Sequence, residues 1–351
     1  MVVKIGLALS GGVDSAVALY SLLKEGHQVT AYHIKTMPDE IYLEKRIKHK
    51  VCCSPSDTYD AKLIAKKFGV ELKIIHMESF FRNTVISYFL SEHKKGRTPN
   101  PCYFCNRWIK FGKLLDMMLD DGMEMVSSGH YARAVDGKLY KAIDKQKDQS
   151  YFLSSIDRSK LSRLIFPNGY HTKEEVREIA KRIGIHVHNK RESQDLCFIP
   201  DSNQKSFLQE NGVNLKPGLI VDKKGKILGK HEGINLYTIG QRKLGIATGE
   251  KMYVISKDSV NNVLIVGEKS SVLRRRFKIS NLNFLVDYLP SVFKATVKVR
   301  KRVKEVECIV TILNNEAEVI AHESIFAVTP GQVATFYNND LVIMSGIIDD
   351  S

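Results

Sequence analysis

No window of this sequence approaches the ~20 apolar residues that a bilayer-spanning helix needs, which excludes a helical membrane protein. The start, Met1-Val2-Val3-Lys4-Ile5-Gly6, lacks the basic segment, apolar stretch and cleavage site of a secretory signal. A cytoplasmic protein is therefore expected. In that reducing setting the six cysteines are poor candidates for a disulfide framework, and redox, metal or catalytic work is the better expectation. Neither an internal repeat nor a low-complexity tract is present. Acidic residues are in short supply: 39 Asp and Glu face 53 Lys and Arg, a formal net charge of +14. That excess favours a polyanionic partner, because each neutralised phosphate releases condensed counterions. It says nothing about the fold.

What is present reads as two or three domains, since 351 residues divide into units of roughly 100–200. Val2 to Leu9 is a short β-branched apolar run that ends near a glycine pair, the pattern of a buried strand. Ser15 to Lys24 follows as a helix stopped by Gly26. Gln28 to Ile34 reads as a strand, Thr58 to Phe68 as a helix closed by Gly69, and Val70 to Ile75 as a strand. Asn106 to Leu119 adds a helix and Met125 to Ser128 a strand. Such alternation predicts an α/β fold with a doubly wound parallel sheet. The pattern changes after Pro200. From Phe277 to Ile348 only strand-like runs remain, which predicts a C-terminal β-barrel. The expected division is an α/β catalytic domain over residues 1–200, a small central domain over 201–272 and a β-barrel over 273–351.

Ser10-Gly11-Gly12-Val13-Asp14-Ser15, between a predicted strand and a predicted helix, is the strongest local signal. The glycines let the backbone turn tightly and approach a ligand. The helix start offers unpaired N–H groups and a positive dipole end to phosphate. Ser10 and Ser15 add hydroxyls, and Asp14 is a candidate ligand for a magnesium ion on the phosphates. No Gly-Lys-Ser/Thr follows, so the lysine of a Walker A loop is missing. The loop resembles instead that of the ATP-pyrophosphatases, which release pyrophosphate as they adenylate a substrate oxygen.

Cys102 and Cys105 form a C-x-x-C pair in Asn100-Pro101-Cys102-Tyr103-Phe104-Cys105-Asn106, and Cys197 stands far off in Gln194-Asp195-Leu196-Cys197-Phe198. Such a pair serves redox exchange, zinc or iron–sulfur ligation. A closed zinc site needs four ligands and only three thiols group here, so zinc is disfavoured. Two readings stay open: a 4Fe-4S cluster on Cys102, Cys105 and Cys197 with one iron position open, and a persulfide–thiol pair. Cys105 is expected at a helix N-terminus, where the dipole favours thiolate. Cys52 and Cys53 are expected to shape a loop, and Cys308, in an apolar run, to be core. His130 and Asp195 are weighed as structural rather than catalytic.

Together these motifs resemble one family, the bacterial tRNA-specific 2-thiouridylases. The matching pieces span nearly the whole chain. They include Leu9 to Ser15, Asn100-Pro101 with Cys105-Asn106, Ile109-Lys110-Phe111-Gly112, Ser128-Gly129-His130-Tyr131, Lys147 to Leu153, Cys197-Phe198-Ile199, Gly240-Gln241-Arg242 and Thr329-Pro330-Gly331-Gln332. The resemblance implies an enzyme that uses ATP and Mg2+ to adenylate the 2-oxygen of a tRNA wobble uridine, then replaces that oxygen with sulfur. It implies ATP contacts at Ala8, Leu9, Ser10, Gly11, Gly12, Val13, Asp14 and Ser15, with backbone at Ile34 and Gly129. It puts Cys105 in the nucleophile position and Cys197 in the persulfide-carrying position. Asn100 and Pro101 are expected to face the target base, and Lys147, Asp148, Gln149, Arg242, Arg300 and Lys301 to touch tRNA. The implied partners are a tRNA with a wobble uridine and a sulfur-donor protein or sulfide, with the chain acting as a monomer. Cys102 stands where the family pattern has Asp, which is what raises the iron–sulfur reading, and Lys301 stands where it has Tyr. The rivals are another ATP-pyrophosphatase, such as a lysidine synthase, and a non-catalytic tRNA-binding sulfur carrier.

Overall fold

Short apolar strands in parallel register build the first layer of the computed structural model, which describes residues 2–39, 54–190, 196–199, 203–246 and 249–349. β1 (Lys4–Ala8) is its centre. Around it lie β2 (Gln28–Lys35), β3 (Leu72–His76), β4 (Met125–Ser128) and, beyond the hairpin strands β5 (Ala132–Val135) and β6 (Lys138–Lys141), β7 (Leu164–Ile165). The sheet order is β3-β2-β1-β4-β7, all parallel. Ile5 and Leu7 are fully buried against α1 (Val13–Lys24), packing with Ala16, Val17 and Leu19. Gly6, between them, faces the other side, where a Cβ would stand 3.0 Å from Met118. Both faces are thus covered, as a parallel sheet requires.

Helix boundaries follow local chemistry. α2 (Pro55–Phe68) starts three residues before the expected Thr58 because Ser54 and Asp57 form a capping box around Pro55. Gly69 ends it at φ 66°, as expected. α3 (Lys173–Arg182) is capped in the same way by Thr172 and Glu175, and it packs on α1.

The second unit is a four-stranded sheet of order β10-β11-β8-β9, from β8 (Gly218–Val221), β9 (Ile227–His231), β10 (Tyr253–Asp258) and β11 (Val263–Gly267). The third is a closed barrel. β12 (Leu273–Phe284), β15 (Glu316–Phe326), β14 (Val306–Leu313), β13 (Val292–Lys298), β16 (Val333–Asn338) and β17 (Leu341–Ile348) pair in that order, and β17 pairs back onto β12. The β5–β6 hairpin crosses the expected division. It belongs to the first 200 residues, yet β6 pairs with β17 at Tyr140↔Leu341. β12 covers β17 only from Met344 onward, and the hairpin takes the edge left before it. Ion pairs Arg133–Asp340 at 3.0 Å and Lys141–Glu305 at 2.7 Å hold it there. No helix among the described residues is long and apolar enough to cross a membrane.

Candidate active site

β1 runs to β2 on one side and β4 on the other, so strand order reverses at its C-terminal end, where open α/β sheets bind ligands. The phosphate loop leaves β1 at that point. Its two serines close it: the Ser10 amide donates to Ser15 Oγ at 3.2 Å, the two hydroxyls lie 3.1 Å apart, and Ser15 Oγ donates to the Gly12 carbonyl at 3.1 Å. No side chain caps α1 at Gly12, so its first amides point to the crevice mouth as an anion site. The two glycines differ. Gly11 has φ 76°, and a Cβ there would come within 2.2 Å of the Asp57 carbonyl oxygen. Gly12 has φ −99°, and its Cβ would meet only Ser10 Oγ at 3.5 Å. Gly11 is glycine for the fold; Gly12 has room for a methyl and is left open on the ligand side. Gly129, just past β4, abuts the same helix start: its Cβ would fall 2.5 Å from the Ser15 amide nitrogen. Ile34 lies near the end of β2 in the same crevice wall.

Asp14, the candidate magnesium ligand, is held by an ion pair and a hydroxyl. Lys173 Nζ donates to both of its carboxylate oxygens, at 2.6 and 2.9 Å, and Tyr131 OH donates to one at 2.7 Å. Lys173 is 2% exposed, so its ammonium draws the carboxylate inward. Asn168, fully buried, donates to the Asp14 carbonyl at 2.9 Å and to that of Gly129 at 3.1 Å. The carboxylate is thus a tie between α1 and α3.

A second support stands behind the loop. Lys190 donates to the Gly11 carbonyl at 3.3 Å, to Asp57 at 2.8 Å and to Asp60. Burial alone would depress this lysine, but the two carboxylates outweigh it and hold its pKa above the ordinary value. His33, fully buried, spans the Leu9 carbonyl (2.8 Å from Nδ1) and Thr58 Oγ1 (3.0 Å from Nε2). The carbonyl needs a donor, so Nδ1 carries the proton. Burial lowers its pKa and keeps it neutral. His130 lies against Ser128 Oγ (2.7 Å) and Lys110 Nζ (3.4 Å), and burial with the Lys110 charge pushes it well below 6.5.

The cysteine helix starts earlier than expected. Asn100 accepts from the Tyr103 amide at 3.3 Å, Pro101 takes the first helical position, and Cys105 is already past the first turn. The N-terminal dipole therefore acts on Cys102, which is exposed, more than on Cys105, which is half-buried. A π-helical stretch, Cys105–Leu114, continues it. Tyr103 OH meets Ser345 Oγ at 2.8 Å and Arg107 donates to Asn283 at 3.2 Å, which seats this helix on the barrel. Cys197 is half-buried, and its neighbour Phe198 packs edge-on or tilted against Phe81, Phe89 and Phe207. Cys105 and Cys197 pack against the same hydrophobic core. Among the described residues no three His, Cys, Asp or Glu side chains gather as a metal site. Asp195, Cys52 and Cys53 lie outside the described residues. Cys308 is core, its thiol pushed up to about 12 by burial.

The residues expected at tRNA split into two groups. Lys301 and Arg242 are exposed and Lys147 is half-buried. Asp148 is interior instead: it accepts from the Ala142 amide, the Ser150 amide and Ser150 Oγ at 3.0, 3.2 and 2.7 Å, stapling its own loop. Gln149 accepts from the Tyr131 amide at 2.9 Å. Arg300 donates to the Ile239 carbonyl at 2.9 Å and to Thr329, so it joins central domain to barrel. Asn100 and Pro101 are buried as the cap of the cysteine helix. Sequence reasoning missed Lys173, Lys190, Asn168 and His33.

Three family models match in succession: a tRNA methyl transferase HUP domain over residues 3–201, a tRNA methyl transferase PRC-barrel domain over 205–268 and an aminomethyltransferase beta-barrel domain over 274–348. The chain is 58% identical over 349 residues to the tRNA-specific 2-thiouridylase MnmA of Fervidobacterium nodosum, covering 99% of this chain and 100% of that one. It is 56% identical over 346 residues to the protein of that name from Pseudothermotoga lettingae, covering 99% of each. With that from Thermotoga maritima it shares 47% over 356 residues, again 99% of each.

Proposed function

This chain belongs to the tRNA-specific 2-thiouridylases, and on that footing we propose that it uses ATP to replace the 2-oxygen of a tRNA wobble uridine with sulfur. The methyltransferase label of two domain models differs from the relatives' name. A loop built to receive phosphate favours thiolation, since methyl transfer has no use for it. The observation that carries the reading is the uncapped start of α1 at the switch point, with Cys105 and Cys197 on one shared core beside the same sheet.

The uridine 2-oxygen is a poor leaving group. The target base leaves its stack, and its 2-oxygen attacks the α-phosphorus of ATP; an O–P bond forms and pyrophosphate departs. The α1 amides stabilise the charge on that leaving group. The terminal sulfur of a Cys197 persulfide then attacks C2, and AMP leaves with the oxygen. The Cys105 thiolate attacks the Cys197 sulfur, forms a Cys105–Cys197 disulfide and releases 2-thiouridine. A persulfide-bearing donor protein recharges Cys197, and a dithiol reductant reopens the disulfide once per turnover. We assign magnesium to the phosphates of incoming ATP, since Asp14 is engaged elsewhere. Lys147, Arg242 and Lys301 are the proposed tRNA contacts, and a cytoplasmic monomer is the proposed working form.

The test supplies the protein with a tRNA transcript, ATP and a persulfide donor, and measures pyrophosphate and 2-thiouridine. Both should appear only with tRNA. Cys197→Ser should keep pyrophosphate release and lose 2-thiouridine, while Cys102→Ser should keep both. If pyrophosphate release ignores tRNA, the reading fails.

A further inference from the structure

Cys105 opens one π-helical stretch, and a second, Arg82–Ile86, runs beside it. Such wide turns are rare and gather at functional sites. Gly112 interrupts the first with φ −102° and ψ −105°, and a Cβ there would meet the Arg107 carbonyl oxygen at 2.5 Å. Between the two stretches lies a cavity of about 620 Å³ whose lining includes Phe80, Thr84, Tyr88, Lys95, Arg107 and Trp108. Trp108 is the one tryptophan of the chain. Its ring centroid lies 4.5 Å from that of Phe104 and 6.0 Å from that of Tyr88, and those two are 4.1 Å apart. Phe104 sits between Cys102 and Cys105, so the aromatic group is built on the turn that carries the thiols. The surroundings are cationic. Residues 82–113 hold seven Lys and Arg against one carboxylate, Glu92, which is paired with Lys95 and Arg97.

We propose that this cavity is a base-stacking subsite for a nucleotide flanking the target uridine; it rests on the thiolation reading but is not implied by it. A base drawn out of its stack leaves its neighbours without one face of contact. Aromatic side chains replace that face without regard to sequence, because every base has a π surface. The cationic rim suits the adjoining phosphates. The spacing also fits. Residues three apart lie about 4.5 Å apart along the axis of an α-helix and somewhat less on the wider π turns here, and one nucleotide step is about 3.4 Å when stacked and longer when splayed. A base seated at Trp108 therefore neighbours one presented to Cys105. The charge excess favours RNA here over a protein partner.

The single tryptophan makes the test direct. Titrating the full chain with substrate tRNA should quench its emission in parallel with binding measured by filter retention. Trp108→Leu should raise KM for tRNA about tenfold, within the range of one base–aromatic stack, with kcat little changed. Trp108→Phe keeps a ring in the core and should recover most of the loss. Lys95→Ala, at an exposed side chain, should weaken binding and flatten its salt dependence with little loss of stability, because Arg97 still pairs Glu92. Unchanged emission at saturating tRNA overturns the proposal. So does quenching by the sulfur-donor protein and not by tRNA, which would make this the donor's surface. If the wild-type protein makes 2-thiouridine and Trp108→Leu keeps its KM, this inference falls and thiolation stands. If no 2-thiouridine forms while tRNA still quenches Trp108, thiolation falls and the stacking site stands as an RNA site.

Discussion

Replacing Asp14 with alanine should cost folding stability before it costs catalysis. Lys173 is 2% exposed, and its ammonium lies 2.6 and 2.9 Å from the two Asp14 oxygens. Removing one partner of a buried pair costs about 3–5 kcal/mol, because the other charge stays buried. Two features reduce that figure. The Asp14 side chain is 31% exposed, so water already screens the pair. The Tyr131 ring, 5.7 Å from the ammonium, keeps a cation–π contact worth up to about 2 kcal/mol. The expected loss is about 2–3 kcal/mol, a fall of roughly 5–10 °C in the melting of a domain of this size. Lys173→Met removes the charge at its source and should cost only about 1 kcal/mol, since Asp14 keeps Tyr131 and water. The double variant should then resemble Lys173→Met, leaving a coupling of about 2 kcal/mol in the cycle. Calorimetric melting of the four proteins reads this directly. Melting of Asp14→Ala within about 0.5 kcal/mol of the parent would refute the argument. A changed magnesium requirement for ATP binding, at unchanged stability, would restore Asp14 to the metal.

The glycine pair should separate fold from ligand: Gly11→Ala should lower the melting temperature and abolish ATP binding, whereas Gly12→Ala should melt normally and lose ATP affinity by isothermal calorimetry. Burial holds His33, His93, His130 and His231 below 6.5, His93 at about 4. The unfolded chain therefore binds more protons between those values, so stability is full above 6.5 and lost as pH falls; His93 alone accounts for about 3 kcal/mol. Urea midpoints at about pH 7 and about pH 5 should differ in that sense, and a flat profile would contradict it. Finally, Lys301→Ala should reduce the salt slope of tRNA binding by about one at unchanged stability, whereas Arg300→Met should lower stability, since Arg300 bonds the Ile239 carbonyl across the domain junction. The reverse pattern would return Arg300 to the RNA surface.

The parts legible in the sequence are those whose cause is local. A β-branched run, two glycines and an amphipathic helix follow one another in the chain, so β1, the phosphate loop and α1 were readable with ends shifted by about two residues. The barrel announced itself by strands alone. The supports of the site were not readable, because their partners are distant: Lys173 lies 159 residues from Asp14, and Lys190 lies 179 from Gly11. Side-chain partners were equally hidden. The resemblance implied tRNA contacts at Asp148 and Arg300, but in the fold Asp148 is buried and bonded within its own loop, and Arg300 is part-buried against the Ile239 carbonyl and Thr329. For Cys105 the signal was present and passed over. Asn100-Pro101 is a cap followed by a first-turn proline, which starts the helix ahead of both thiols.

The hairpin on the barrel edge bears on how the protein is made. β17 joins β16 and β12 to close the barrel, and it also receives β6 from the first half of the chain. It leaves the ribosome after every strand it pairs with. Until then the barrel stays open and the hairpin waits with a bare edge, a template for pairing with another chain. Synthesis thus passes through a long interval in which the nucleotide-binding sheet can be complete while the hairpin that grows out of it is not. Chaperone protection should be needed during that interval, and the emergence of β17 should decide the yield of soluble enzyme.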